Sequence, residues 1–101
     1  MNTSRLLVAA AALCFATAVQ ADKGQEVYDT HCKNCHLEGL INAPKFGDKV
    51  AWAPRLAANT VETFLATVKT GKAAMPPKGT CAECTDEDLK AGIEYMMSAV
   101  Q

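Results

Sequence analysis

Long apolar runs and strand signals are both scarce in this chain of 101 residues. The longest apolar stretch, Leu6 to Val19, has 14 residues, short of the roughly 20 that cross a bilayer as a helix. No segment alternates apolar and polar residues, which excludes a sheet as the organising element. Charge of one sign is missing too. Ten Lys and Arg stand against eleven Asp and Glu, a formal net charge of −1, and this is no footprint of a nucleic-acid binder. Serine occurs only at Ser4 and Ser98, and the carboxylates fall on solvated helix starts, so no catalytic set can be assembled from either. Internal repeats and low-complexity segments are absent from residues 22–101.

The N-terminus has the form of a secretory signal. Arg5 precedes the Ala-rich apolar run, and Val19-Gln20-Ala21 supplies a small-residue cleavage site. Residues 1–21 are therefore expected to leave as a signal peptide and 22–101 to remain as one exported domain. An uncleaved anchor and a lipoprotein processed at Cys14 are the alternatives, although Leu13 is too large for the latter. The remaining 80 residues bury only a marginal core and call for a staple or a cofactor. Without Cys14 the cysteines number four, the even count that suits an oxidising compartment.

What is there is concentrated in Cys32-Lys33-Asn34-Cys35-His36. Cys-x-x-Cys-His is the attachment pattern of a c-type haem. Two thiols three positions apart share one side of a helical turn and can add across the two vinyl groups of one porphyrin. The following His36 is carried beneath the ring, where its imidazole can ligate iron. The bland alternative is a redox or zinc Cys-x-x-Cys that happens to precede a histidine.

Iron in a haem takes an axial ligand on each face, and the pair sets its chemistry. With His36 on one face, the candidates for the other are His31, Met75, Met96, Met97 or nothing. His31 is tethered to the His36 side by its neighbour Cys32. Met96 and Met97 sit in an amphipathic pattern where methionine normally packs. Met75 lies in a loop before Pro76-Pro77, whose stiff backbone can hold a sulfur in position, and is the expected ligand. Closing both faces leaves a carrier rather than a catalyst, because no position stays open for a small molecule. The carbonyl of Pro44 is expected to accept from the second nitrogen of His36. Trp52 is expected at the haem edge with its N–H near a propionate, or else as ordinary core.

Three helices can be read, joined by long loops. The first starts at Asp22 as N-cap and runs through Gly24, Val27, Tyr28 and His31 into the motif. The second starts near Asn59-Thr60, buries Val61, Phe64, Leu65 and Val68, and stops at Gly71. Thr85 caps the third, with Asp88 three residues on, and Leu89, Gly92, Ile93, Met96 and Val100 form its buried stripe, Tyr95 beside it. Residues 37–58 and 71–84 read as long functional loops. Cys81-x-x-Cys84 in the latter is open to three readings: a structural disulfide, a thiol-disulfide catalyst, or a zinc site shared with Cys32 and Cys35.

The chain resembles the class I cytochromes c, within them the bacterial cytochrome c5 type. The residues that carry the resemblance are Cys32-x-x-Cys35-His36, Ala43-Pro44, Trp52-Ala53-Pro54-Arg55, Met75-Pro76-Pro77-Lys78-Gly79, Cys81-x-x-Cys84 and Leu89-x-x-x-Ile93-Glu94-Tyr95-Met96. The resemblance implies an all-α monohaem fold of three to four helices, with first and last helices crossing near Gly24, Tyr28 and Tyr95. It implies one haem c held covalently by Cys32 and Cys35, axial His36 and Met75, and a disulfide between Cys81 and Cys84. It further implies electron shuttling between a membrane reductase complex and a terminal oxidase or reductase, with no small-molecule substrate. Residues 44–79 carry six basic groups against two acids and residues 81–101 five acids against one base. Lys69, Lys72 and Lys78 are accordingly expected to flank the haem edge and steer an acidic partner.

Overall fold

The computed structural model describes residues 22–101. The expected signal segment, with Cys14 and the cleavage site after Ala21, lies outside the described residues. The chain runs through a first helix over residues 22–36 (α1), then Lys49–Ala58 (α2), Val61–Thr70 (α3) and Asp86–Ser98 (α4). Among the described residues there is no strand, only an isolated bridge between Lys72 and Met75. None of these helices is long and apolar enough to cross a membrane.

Two features depart from the pattern of the sequence. Asp22, expected as the cap of α1, is itself helical, and α1 opens into a π turn at Tyr28–Cys32 before returning to α geometry at Lys33–His36. The segment expected as one loop over 37–58 contains a 3-10 turn, Leu40–Asn42, and the whole of α2. Gly47 and Pro54 had marked that stretch as irregular. Asp48 overrides them locally, because its carboxylate accepts from the N–H groups of Val50 and Ala51 at 3.1 Å each, satisfying two of the helix's orphan donors. Pro54 then sits inside α2, where a missing N–H and a ring clash ordinarily disfavour helix by about 3 kcal/mol. Burial of Trp52, 7% exposed in the same helix, is the opposing term at about 2–3 kcal/mol for a large apolar side chain.

The other helix boundaries follow their capping residues. Thr60 accepts from the Thr63 N–H and Thr63 returns the bond, and Thr85 does the same with Asp88. α1 and α4 cross closely at Gly24, where a Cβ would run into the Ala91 carbonyl, and Tyr28 packs on Tyr95 with ring centroids 5.5 Å apart. The core divides into two clusters. Val27, Leu89, Cys81 and Cys84 form one, and Tyr28, Trp52, Met96 and Val100 form the other, with Cys32 packed against both. α3 is tied to α4 by Lys90–Glu62 at 2.9 Å and Lys69–Asp86 at 3.0 Å, exposed pairs that fix orientation more than stability. Cys81 and Cys84 are joined as a disulfide, with Cα atoms 5.3 Å apart.

Candidate haem-binding site

The site begins where the π turn ends. A π turn adds a residue to one helical turn and occurs most often at functional positions. Here it leads into the Cys-x-x-Cys-His segment and ends on its first residue, Cys32. Cys32 and Cys35 are free, half-buried thiols, and burial pushes the Cys32 thiol up to about 11. His36 closes α1 and is buried. Its Nδ1 lies 2.9 Å from the Pro44 carbonyl oxygen. A carbonyl only accepts, so Nδ1 carries the proton and Nε2 keeps its lone pair. The Phe46 N–H donates to the His36 carbonyl at 2.6 Å, so residues 44–46 are fastened to the end of α1 at two points.

Trp52 stands behind this imidazole, ring centroids 6.2 Å apart, and meets Phe64 edge-on at 6.1 Å. Its indole N–H, expected to face a propionate, donates instead to the Lys45 carbonyl at 2.9 Å. The indole has one donor, and closing the 44–46 loop uses it.

Met75 sits half-buried on a tight turn held by reciprocal bonds, Lys72 N–H to the Met75 carbonyl at 3.0 Å and Met75 N–H to the Lys72 carbonyl at 2.9 Å. Gly71 does more than end α3. Its φ is +84°, and a Cβ there would lie 2.8 Å from the Met75 carbonyl oxygen and 3.0 Å from Pro77 N. Ala73 and Lys78 also have positive φ, 52° and 60°, a strained state for residues with a side chain. The loop is fastened to α3 by the Lys78 N–H on the Val68 carbonyl. Of the other iron-ligand candidates, Met96 is buried with Tyr28, Trp52 and Val100, and Met97 is half-buried on α4. The His31 ring faces Thr80 and Glu83.

Tyr28 is the side chain that sequence reasoning did not single out as polar. It is 3% exposed, packed on Phe46 at 4.6 Å and on Tyr95, and its hydroxyl has no hydrogen-bond partner. Burial first, then the nearby acidic groups, push its pKa up to about 12, so at neutral pH it is a donor. A buried unpaired hydroxyl is disfavoured by about 1–3 kcal/mol, and nothing in the local pattern announces it. Two free thiols three positions apart, an imidazole held through Nδ1 and a thioether on a braced turn fit a covalently attached haem.

The surrounding surface differs from the charge expectation. Lys69 is exposed but paired with Asp86, the half-buried Lys78 has its ammonium 3.5 Å from the Cys84 carbonyl, and Lys72 is exposed. Beyond His36, by contrast, Leu37, Leu40 and Ile41 are exposed, Ile41 at 69% and with a φ of 54°. A β-branched residue in that region is a genuine outlier.

Residues 19–96 match the family model described as cytochrome c oxidase, cbb3-type, subunit III. The cytochrome c5 of Azotobacter vinelandii is 48% identical over 77 residues, 75% of this chain and 93% of the relative. The cytochrome c-555 of Chlorobaculum tepidum is 42% identical over 99 residues, 93% of this chain and 92% of the relative. Among solved structures, the cytochrome c of an electron-transfer complex with nitrite reductase superposes with a TM-score of 0.73 at 46% identity, covering 78% of this chain and 95% of that one. A mono-haem ferrocytochrome c from Shewanella putrefaciens gives 0.65 at 45% identity, covering 72% and 89%. The fold and donor set define a haem-carrying electron-transfer protein. The chain belongs to the class I cytochromes c, of cytochrome c5 type, and its cofactor is one covalently attached haem c.

Proposed function

We propose that this chain is a periplasmic electron carrier without catalytic activity of its own, with Cys32 and Cys35 as the thioether positions and His36 and Met75 as the axial ligands. The observation that carries the reading is the 2.9 Å bond from His36 Nδ1 to the Pro44 carbonyl, next to two free thiols three positions apart. It fixes the tautomer, orients the ring and raises the basicity of Nε2. Pro44 is thus a positioning residue, and Trp52 holds it in place by tying down Lys45. On the other side the Gly71 turn braces Met75, whose thioether favours reduced iron and raises the potential. The haem supplies one-electron exchange between ferrous and ferric iron. Everything else the chain does is holding: it keeps both faces covered and excludes small ligands.

Delivery fits a membrane reductase complex as donor and a terminal oxidase or reductase as acceptor. A similar cytochrome c occurs in an electron-transfer complex with nitrite reductase, which favours acceptors of that class. The docking surface best supported is the exposed Leu37, Leu40 and Ile41 segment just past the attachment motif. With Lys69 paired and Lys78 turned inward, charge steering is a weak second contribution. Export through residues 1–21 and cleavage after Ala21 complete the reading.

The purified protein tests it spectroscopically. His–Met ligation gives a weak band at the red end of the ferric spectrum, and the ferrous protein should not bind carbon monoxide readily at neutral pH. Ready binding would mean an open face and a catalyst or gas sensor instead. For docking, Ile41→Lys should slow transfer to the native acceptor more than Lys72→Glu does; the reverse order restores the electrostatic reading.

A further inference from the structure

The second Cys-x-x-Cys does not stand alone. The ligand-capable atoms of His31, Cys81 and Cys84 lie within 4.8 Å of one another, at a cleft of about 270 Å³ lined also by Lys23, Glu26 and Glu83. His31 is already oriented for ligation. Its Nδ1 is 3.2 Å from Thr80 Oγ1, whose own hydroxyl donates to the His31 carbonyl at 3.3 Å. The ring therefore donates at Nδ1, which leaves Nε2 beside Glu83 as the atom to ligate, and an Nδ1–H held by an oxygen is the arrangement that metal-binding histidines use. A Glu83 carboxylate oxygen lies 3.7 Å from His31 Nε2 and 3.7 Å from Cys81 Sγ. Asp88 lines the same cleft, and the Lys23 ammonium lies 3.9 Å from both Glu26 and Asp88, so three carboxylates stand against one ammonium and the net negative charge favours a cation.

We propose that reduction of the Cys81–Cys84 disulfide converts this corner into a zinc site, with Cys81, Cys84 and His31 as ligands and Glu83 within reach of the fourth position. Two thiolates, an imidazole and an oxygen donor are a tetrahedral zinc set. The step balances with a dithiol as reductant. Its two electrons break the S–S bond, its two protons pass to the new thiols, and it becomes a disulfide itself. Zinc then displaces both thiol protons to solvent. The backbone needs little rearrangement, because residues 81–84 already form a tight turn closed by the Cys84 N–H on the Cys81 carbonyl.

The test uses the haem-loaded protein, in which Cys32 and Cys35 are consumed as thioethers. Zinc is titrated against a chromophoric chelator before and after treatment with a dithiol that is then removed under argon. The expected result is no tight zinc before reduction and one equivalent after it. His31→Gln should weaken binding at least about tenfold, the loss of one of three ligands. The Cys81→Ser, Cys84→Ser double variant should bind none, with the haem spectrum unchanged as a control on folding. No zinc uptake on reduction, equal uptake by the double variant, or indifference to His31→Gln would each overturn the proposal.

Discussion

Two Cys-x-x-Cys segments of identical spacing meet opposite fates in this molecule. Cys32 and Cys35 lie on a continuous helix and stay unbonded. Cys81 and Cys84 lie across a turn and bond to each other. A helix sends side chains at i and i+3 outward on one face, where both can reach a third body. A tight turn brings the ends of its four residues within about 7 Å and aims them inward. The surroundings differ in the same sense. Cys81 is 1% exposed among Val27, Leu89 and Cys84, whereas Cys32 and Cys35 are only half-buried. Backbone geometry, not spacing, decides which pair serves the cofactor and which staples the chain.

The largest expected effect comes from exchanging that assignment. Cys32→Ser with Cys35→Ser should abolish covalent haem, read as complete extraction of haem by acidified acetone. Cys81→Ser with Cys84→Ser should leave haem in place and lower stability by about 2 kcal/mol, the loop-closure value for so short a bridge, read by denaturant unfolding. If the second double variant also lost haem, the staple would be part of the site.

Met75→Ala comes next. It should keep the haem attached, remove the red ferric band, admit carbon monoxide and lower the potential. Met96→Leu should leave the spectrum as it is, because that sulfur packs in the core. Gly71→Ala should move the spectrum toward that of Met75→Ala, since its Cβ would press on the Met75 carbonyl; a normal spectrum would separate the turn from the ligand.

Gly24→Ala sharpens the contrast from the other side. It should destabilise by about 1–3 kcal/mol through overpacking at the α1–α4 crossing, with the haem spectrum retained at temperatures where the protein is folded. The effect confined to the narrowest conditions concerns Tyr28. Its phenol is pushed up to about 12, against about 10 in an unfolded chain. The unfolded state therefore loses its proton first, and stability should fall as pH rises from about 10 to about 12. Tyr28→Phe should flatten that slope, measured by thermal unfolding across the alkaline range.

Much of the site can be read without coordinates because covalent chemistry is local. Attachment to one porphyrin demands two thiols and a histidine within a single turn, so the motif is contiguous. Caps are local too, and Thr60, Gly71 and Thr85 mark their helix ends in sequence as in space. α2 was not legible, because Pro54 and Gly47 speak against a helix, and only the burial of Trp52 under the Asp48 cap tips the balance. The Pro44 carbonyl could be anticipated from its distance along the chain to His36. The partner of the indole N–H could not, because it depends on how residues 44–46 fold back onto α1.

The amino-acid sequence by itself determined the cofactor chemistry, the candidate ligands and the boundaries of α3 and α4, since each rests on residues close along the chain. Tertiary structure alone decided that α1 opens into a π turn at Tyr28–Cys32, that Tyr28 is buried without a partner, that Lys69 pairs with Asp86, and that Lys78 reaches the Cys84 carbonyl. It also brought His31 to the disulfide, across 49 residues between His31 and Thr80. These outcomes depend on which segments meet, and packing between distant residues leaves no mark in local pattern.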